Sequence, residues 1–257
     1  MNFKLSSLNF IVCGATSGFG RSISTLLLEE KANIIAVARN EKNLIELKNI
    51  NPERIEVHIG DITQKATIDK LIHTVKNKKI SGIVLNSAGP PAKSFLETEM
   101  NDWDEAYKNI VSWKVYLTKC LIPLFKKNNY GRIVYIESAS VKQPLENLIL
   151  STSMRLAVIG FVKSVSQELI GSGINFNILA PGYHKTPAVD RLIQKKAEIE
   201  NITFESAQKI MEDNLPMKKS GNPDDFATLA LWLLSPLSEF VSGQVYSVDG
   251  GILKGTL

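Results

Sequence analysis

The sequence predicts an α/β protein built on one doubly wound, seven-stranded parallel sheet with helices on both faces. Two observations lead to this prediction. Short runs rich in β-branched residues alternate with longer segments whose apolar residues recur at helical spacing. The short runs are apolar at nearly every position, which is typical of strands that are covered on both faces, as in a parallel sheet.

Seven runs have the composition of buried strands. They are 9–13, 33–38, 55–60, 82–86, 132–138, 174–180 and 244–249. Five segments between them have helical spacing: 17–30, 64–76, 102–127, 151–170 and 223–234. The polar segment 187–214 follows the sixth strand, where a parallel sheet normally places its ligand crevice. We interpret it as a helical flap over the substrate.

Length and composition favour a single domain over residues 1–257. Of the 257 residues, 44% are hydrophobic and 22% are charged, and no linker, repeat or low-complexity segment divides the chain. The net charge of +4 is mild and the lysines lie in short, scattered groups, so we expect no nucleic-acid partner. No apolar run reaches the about 18 residues of a membrane span, so we expect no membrane segment and no signal sequence.

The two cysteines, Cys13 and Cys120, lie far apart and match no metal-ligand spacing. We therefore expect no metal site and a reducing, cytoplasmic location. Neither cysteine is a good candidate for a nucleophile.

A glycine-rich turn joins the first strand to the first helix, with its three glycines spaced G-x-x-x-G-x-G in the segment VCGATSGFGRS. Glycine permits the tight turn and lets backbone N–H groups approach a pyrophosphate at the positive end of a helix. The turn therefore predicts a dinucleotide site, with a purely structural turn as the alternative. The residues predicted to line this site are Gly14, Thr16, Ser17, Gly18, Phe19 and Gly20.

The glycine turn and several later motifs occur in the order typical of the short-chain dehydrogenase/reductase family, which the chain resembles over essentially its whole length. The later matches are Asp61, NSAG at 86–89, Asn109, Ser138, Pro181 and Gly182 with Thr186, and DGG at 249–251. The resemblance implies a single Rossmann-type domain and a nicotinamide cofactor.

The resemblance also implies roles on the cofactor side. Asp61, with Ile62 beside it, is expected to hold the adenine amino group, and Thr186 is expected to reach the nicotinamide carboxamide. Asp61 or Thr63 could instead cap the helix that begins near Gln64, and the two roles do not exclude each other. The other positions expected to contact the cofactor are Asn86, Ser87, Ala88, Gly89, Arg155, Pro181 and Gly182.

The end of the second strand, AVARN, indicates which coenzyme binds. A carboxylate there would accept hydrogen bonds from the ribose 2′-OH of NAD(H), whereas a guanidinium accommodates the 2′-phosphate of NADP(H). The chain has Arg39 and no acid at this position. NADP(H) is therefore favoured, and NAD(H) is the alternative because an arginine at a strand end could also be ordinary surface.

Members of this family act through a serine, a tyrosine four residues before a lysine, and an asparagine. Ser138 matches the serine that holds the substrate oxygen, and Asn109 matches the asparagine that supports a water chain. The tyrosine position, thirteen residues after the serine, is Ser151, and the lysine position is Arg155. The resemblance therefore implies a site without the usual proton donor.

This substitution changes the chemistry of the site. A phenol has a pKa of about 10 that can be brought toward neutrality, whereas a serine hydroxyl is a far weaker acid and does not reach as far. Arg155 can hydrogen-bond the nicotinamide ribose and supply positive charge, but an arginine does not release its proton. Ser151 could instead be a helix N-cap, and a water held by Ser138 and Ser151 could carry the proton.

Three nearby residues are further candidates for the proton donor. Tyr183 and His184 lie on the loop that follows the sixth strand, although a lone loop histidine is more often a surface residue. Glu137 precedes Ser138, but strand alternation is expected to point it to the opposite face, so we discount it.

The sequence thus predicts an NADP(H)-dependent oxidoreductase that reduces a carbonyl or oxidises a secondary alcohol of a small molecule, with an altered proton donor. The alternative is a cofactor-binding homologue without redox chemistry that serves as a sensor or as an inactive subunit. A lyase is a weaker third hypothesis, for which no base can be named. The resemblance further implies a homo-oligomer, a dimer or a tetramer, formed through helices 102–127 and 151–170.

Overall fold

The computed structural model describes residues 2–255 and confirms the predicted α/β fold. The strands are β1 Asn9–Cys13, β2 Asn33–Ala38, β3 Ile55–Ile59, β4 Ile80–Leu85, β5 Gly131–Ile136, β6 Ile174–Pro181 and β7 Val245–Val248. They form one parallel sheet in the order β3-β2-β1-β4-β5-β6-β7. The order reverses between β1 and β4, which is where sheets of this kind bind ligands.

Helices connect the strands and cover both faces of the sheet. They are α1 Gly18–Glu29, α2 Glu41–Ile50, α3 Lys65–Val75, α4 Met100–Tyr107, α5 Trp113–Asn128, α6 Ile149–Glu168, α7 Pro187–Glu200, α8 Phe204–Asp213 and α9 Pro223–Leu234. A π-helical turn, Lys108–Ser112, joins α4 to α5.

Each face of the sheet has its own apolar core. On β5, Ile133 and Tyr135 belong to the core that includes residues of α3, α5 and α6, whereas Val134 and Ile136 belong to the core of α1, α2 and α9. Successive side chains of a strand point to opposite faces, so both cores are continuous along β5. Side chains just after β5 therefore face either the helices α3, α5 and α6 or the helices α1, α2 and α9, according to their position in this alternation.

Two helices differ from the sequence prediction. Helix α2 is not predicted because only Leu44 and Leu47 face the core, which gives an apolar stripe too short to recognise. Asn40 begins this helix by accepting a hydrogen bond from the backbone N–H of Asn43 at 3.1 Å. The predicted helix 102–127 is helical throughout but is not a regular α-helix, because the π-helical turn inserts one residue between α4 and α5.

The flap segment 187–214 consists of α7 and α8, which pack on each other. Ile193 and Ala197 of α7 and Ala207 of α8 form a small apolar cluster separate from the two main cores. The segment is therefore helical, as its composition predicts, and it has a hydrophobic centre of its own.

Helix α6 has the length and the apolar composition of a membrane-spanning helix. The search for an uninterrupted apolar run in the sequence does not detect it, because polar residues interrupt the segment. Val158 and Val162 on this helix are buried in the core that covers one face of the sheet. Core helices pass the same test of length and composition.

Gly20, in the first turn of α1, is required by the close approach of two backbone segments. A Cβ at this position would lie 2.2 Å from the carbonyl oxygen of Gly14. We expect Gly20→Ala to push α1 away from the turn and to lower the free energy of unfolding by about 3 kcal/mol. Chemical denaturation followed by circular dichroism measures this loss.

Gly160→Ala is the matched control, because nothing lies within 4 Å of its Cβ position on α6. Alanine is favoured over glycine within a helix, so this variant should gain about 0.5–1 kcal/mol of stability. Equal effects of the two substitutions would contradict the packing argument.

Candidate functional site

The glycine turn has the conformation that a dinucleotide pyrophosphate needs. Gly14 has φ +66° and Gly18 has φ +49°, a left-handed region that favours glycine. Ser17 is the N-cap of α1, but its side chain makes no capping hydrogen bond, and the first turn contains no acidic residue. The first N–H groups of α1 are therefore available to an anion, and the residues of the turn fit the pyrophosphate.

The loops after β4 and β6 close around the glycine turn. A Cβ on Gly14 would lie 2.9 Å from Nδ2 of Asn86, and a Cβ on Gly18 would lie 3.4 Å from Cγ2 of Thr186. Thr186 is buried, and its hydroxyl donates to the carbonyl oxygen of His184 at 3.3 Å. The structure thus brings these predicted cofactor residues together at the carboxyl edge of the sheet.

The DGG motif at 249–251 packs against the loop that follows β6. A Cβ on Gly182 would lie 2.8 Å from Cα of Asp249, so the loop after β6 packs directly on this motif. The Asp249 carboxylate accepts from the backbone N–H groups of Gly251 and Leu253, at 3.1 and 3.0 Å. The motif therefore braces the loop that carries Pro181 and Gly182.

Arg39 is exposed directly after β2, and none of the ion pairs within residues 2–255 includes it. Its neighbour Asn40 starts α2, so the backbone here is fixed. The guanidinium is free to meet a ligand phosphate beside the glycine turn.

Asp61, after β3, caps its own turn. Its Oδ1 accepts from the backbone N–H of Thr63 at 3.0 Å and from the Thr63 hydroxyl at 2.8 Å. Gln64 is the N-cap of α3 and makes no side-chain capping bond. The alternative that Asp61 or Thr63 caps this helix is therefore wrong. Ile62, the residue between them in sequence, is buried.

Ser138 is the second residue after β5, at the carboxyl edge of the sheet. It is the N-cap of the short helical turn Ala139–Val141, and its Oγ accepts from the backbone N–H of Ser140 at 3.2 Å. This bond uses Ser138 as an acceptor and leaves its hydroxyl proton to donate. Ser138 can therefore hold a substrate oxygen.

Asn109 lies in the π-helical turn between α4 and α5. Its carbonyl oxygen accepts from Nε1 of Trp113 at 2.9 Å and from the hydroxyl of Ser87 at 3.4 Å. The second bond ties the turn to the NSAG segment after β4. Single π-helical turns are frequent at functional sites, and this one places Asn109 beside the predicted cofactor loop.

Ser151 and Arg155 face each other across one turn of α6. Leu148 is the N-cap of this helix, so the alternative that Ser151 is the N-cap is wrong. Both side chains are buried, and Arg155 Nε donates to Ser151 Oγ at 3.0 Å. The other end of the guanidinium, Nη2, would lie 3.3 Å from a Cβ on Gly89. Arg155 therefore connects α6 with the NSAG segment.

Glu137 has a role that the sequence does not predict, because it is the carboxylate that holds Arg155. Arg155 Nη1 donates to Glu137 Oε2 at 2.9 Å, and Lys114 Nζ donates to Oε1 at 2.5 Å. Glu137 does point away from Ser138, as strand alternation predicts. The face that it reaches is the one covered by α5 and α6, which carry Lys114 and Arg155. Strand alternation alone does not predict the contact that Glu137 makes there with Arg155.

Burial changes the protonation of groups around this cluster. It lowers the pKa of the Lys114 ammonium, and the positive charge of Arg155 lowers it further, while the Glu137 carboxylate opposes both effects. Burial also raises the pKa of the nearby Cys13 thiol to about 12. Cys13 therefore stays protonated and is not a nucleophile.

His184 is not the surface residue that its loop position suggests. It is buried, and its ring packs edge-to-face against both Phe19 and Phe226, with centroid distances of 5.1 and 5.6 Å. Nδ1 lies 3.1 Å from the carbonyl oxygen of Gly182. Burial lowers the pKa of the imidazole below its usual value, so His184 is a neutral packing residue beneath the glycine turn.

The sequence is similar to those of known proteins over nearly its whole length. A family model described as Enoyl-(Acyl carrier protein) reductase matches residues 14–253. The chain belongs to the short-chain dehydrogenase/reductase family. It is 24% identical to the NADPH-dependent reductase BacG of Bacillus subtilis, covering 97% of this chain and 99% of BacG. It is 26% identical to a 3-oxoacyl-[acyl-carrier-protein] reductase of Thermotoga maritima, covering 95% and 96%.

A solved structure has the same fold. The L-sorbose reductase of Gluconobacter frateurii, complexed with NADPH and L-sorbose, superimposes with a TM-score of 0.93 over 99% of this chain and 100% of that chain. The two sequences are 24% identical, so this likeness concerns the fold.

The lowered pKa of His184 makes stability depend on pH in a defined window. As the pH falls below about 6.5, the unfolded chain takes up a proton on this imidazole that the folded chain does not, and stability is lost until the pH passes the folded pKa. Above that window both states are neutral and His184 contributes no pH dependence. The natural protein should lose Tm between pH 7.5 and pH 5.5, and we expect His184→Phe to lose less. The difference should be about 2–4 °C for each kcal/mol of pH-dependent unfolding free energy that His184 contributes. Differential scanning calorimetry that gave the same drop for both proteins would contradict this assignment.

Proposed function

We propose that this chain is an NADP(H)-dependent short-chain oxidoreductase that reduces a carbonyl or oxidises a secondary alcohol with an atypical proton donor. One observation carries the proposal: the buried Arg155 reaches the NSAG segment at the carboxyl edge of the sheet, and the same edge carries Ser138 and the uncapped N-terminus of α1. BacG, which is named an NADPH-dependent reductase, and the L-sorbose reductase solved with NADPH support the same choice of cofactor.

Each part of the cofactor has a matching group in the chain. The free N–H groups of α1 would hold the pyrophosphate, and Arg39 would meet the 2′-phosphate. Asp61 would accept from the adenine amino group, and Arg155 Nη2 would donate to the nicotinamide ribose. When bound, the nicotinamide supplies or accepts the hydride of the reaction.

Ser138 and Arg155 would stabilise negative charge on the substrate oxygen. The Ser138 hydroxyl donates to that oxygen, and the guanidinium adds a fixed positive charge in a site shielded from solvent. Ser151 accepts a hydrogen bond from the charged Arg155, which makes its own hydroxyl a better donor. The proton itself would come from a water held by the two serines, because neither serine nor arginine is a usable acid near neutral pH.

A second substrate class follows from the same lack of an acid. Hydride addition to a carbonyl carbon leaves an alkoxide, which needs a proton at once. Hydride addition to the β-carbon of an α,β-unsaturated carbonyl shifts the electron pair to the oxygen as an enolate, which water protonates at the α-carbon. Hydrogen bonds and a fixed positive charge suffice for the enolate, so Ser138 and Arg155 suit such substrates as well.

The alternative function is that of a catalytically inactive, NADP(H)-binding homologue that acts as a sensor or as an oligomer subunit. The absence of the tyrosine and lysine favours it, because Ser151 and Arg155 keep the positive charge of the usual pair but lose its proton chemistry. This alternative predicts cofactor binding without turnover.

We propose a cytoplasmic homo-oligomer, a dimer or a tetramer, formed through α5 and α6, with no nucleic-acid or membrane partner. Only a third of the apolar window of α6 is buried within one chain, which leaves apolar surface for a second copy. Light scattering after size-exclusion chromatography measures the assembly.

Arg39→Ala is expected to weaken NADPH binding by about tenfold to a hundredfold, because a charge-assisted contact to the 2′-phosphate is lost. NADH lacks this phosphate, so its dissociation constant should change by less than about twofold. Titration of cofactor fluorescence measures both constants. Lys127→Ala, which removes an exposed charge at the end of α5, is the control. Equal weakening of NADPH and NADH would contradict the role of Arg39.

Turnover separates the enzyme from the inactive homologue. We expect NADPH oxidation with part of a panel of ketones and α,β-unsaturated carbonyl compounds, and a fall in kcat of about a hundredfold or more in Ser138→Ala, since an oxyanion donor is removed. The double variant Ser151→Tyr/Arg155→Lys restores the family pair and should raise kcat for ketones. Cofactor binding without turnover in the natural protein would leave the inactive alternative as the function.

A further inference from the structure

Three charged side chains form one closed cluster beneath the candidate site. Glu137 lies between Lys114 and Arg155, and each of its carboxylate oxygens accepts from one of the two cations, at 2.5 and 2.9 Å. The Lys114 and Glu137 side chains have no exposed surface, and that of Arg155 is 9% exposed. With two cations and one carboxylate, the cluster has a net charge of +1. Glu137 is therefore the ion-pair partner of both Lys114 and Arg155.

Three different elements bring these side chains together. Glu137 follows β5, Arg155 belongs to α6, and Lys114 lies in the first turn of α5, next to the π-helical turn. The extra residue of that turn rotates α5 and directs Lys114 toward β5. The cluster thus depends on the turn that also carries Asn109.

The hydrogen bonds of Arg155 leave one part of it for a ligand. Nε donates to Ser151 Oγ, and Nη1 donates to Glu137 and, at 3.4 Å, to the carbonyl oxygen of Ile136. Nη2 makes no hydrogen bond to residues 2–255, and it is not among their fully buried, unpartnered polar atoms. The accessible part of the guanidinium therefore includes Nη2, which faces Gly89.

We propose that Glu137 and Lys114 are positioning residues that hold the Arg155 guanidinium with Nη2 directed at the nicotinamide ribose. This inference rests on the proposed function, since it needs the dinucleotide to lie along the NSAG segment. A buried arginine has several rotamers and five donors, and the carboxylate with Ser151 fixes both its plane and its reach. Lys114 in turn prevents the carboxylate from rotating toward the crevice.

Neither positioning residue delivers a proton to the substrate. Both are fully buried, and Glu137 points to the face of the sheet opposite Ser138. Their effect is confined to the nicotinamide half of the cofactor. The adenosine half lies at the far side of the glycine turn, near Arg39 and Asp61, and does not depend on them.

This separation gives a test that a merely structural role would not pass. Adenosine 2′,5′-bisphosphate carries the 2′-phosphate but has no nicotinamide ribose. In the double variant Lys114→Met/Glu137→Leu, the cluster keeps its net charge of +1 while Arg155 Nη1 loses its side-chain acceptor. We expect the dissociation constant of NADPH to rise about tenfold or more, with that of adenosine 2′,5′-bisphosphate unchanged within about twofold. Arg155→Met should give the same pattern.

Two single variants refine the test. Lys114→Met keeps the Glu137–Arg155 pair but leaves the carboxylate free to rotate, so it should weaken NADPH binding by about threefold, less than the double variant does. No change in NADPH affinity would remove Lys114 from the positioning role. Arg132→Gln is the matched control for disturbing a buried arginine, because Arg132 is buried at the opposite end of β5 and bonds backbone carbonyls there. It should lower the Tm without changing the ratio of the two dissociation constants.

The outcomes can be told apart by isothermal titration calorimetry with both ligands. Selective loss of NADPH affinity in the double variant supports the positioning role. An unchanged affinity for NADPH, or an equal loss for both ligands, overturns it while leaving the proposed function intact. If the natural protein binds neither ligand, the proposed function fails, and the positioning role fails with it.

Discussion

The parallel direction of all seven strands is the constraint from which the rest of this structure follows. It brings the carboxyl end of every strand to one edge, so the glycine turn after β1, the NSAG segment after β4, Ser138 after β5 and the loop after β6 become neighbours although they are far apart in sequence. It also requires a helix between successive strands, which buries both faces and explains the continuously apolar strands. The candidate site is therefore a product of topology first and of side chains second.

Buried charge is the second constraint, and it acts where the site departs from its family. Removing a charge from water is costly unless a partner is close, and the two cations of α5 and α6 share the single carboxylate of Glu137. An arginine in place of the usual lysine brings a larger, planar cation that needs more acceptors. Ser151 provides one acceptor and Glu137 another, so the replacements on α6 form one consistent arrangement with the residue that follows β5.

The fold could be predicted from the sequence because strands covered on both faces have a composition of their own, and the positions of β1 and β2 follow from it directly. The π-helical turn before α5 and the role of Glu137 could not be predicted in this way. Alternation correctly predicts the direction of Glu137, but only tertiary packing reveals that the face it reaches carries Lys114 and Arg155. Likewise, the π-helical turn leaves no local signal, and the burial of His184 depends on Phe226, which lies over forty residues away.

The π-helical turn at Lys108–Ser112 has a consequence for how such proteins diverge. A single residue gained or lost there rotates everything beyond it in α5 by about 100°. Lys114 would then leave the carboxylate below the site, and a different side chain would take its place. A change in chain length within this turn can thus alter the charges beneath the crevice without any substitution of Ser138, Ser151, Arg155 or Glu137.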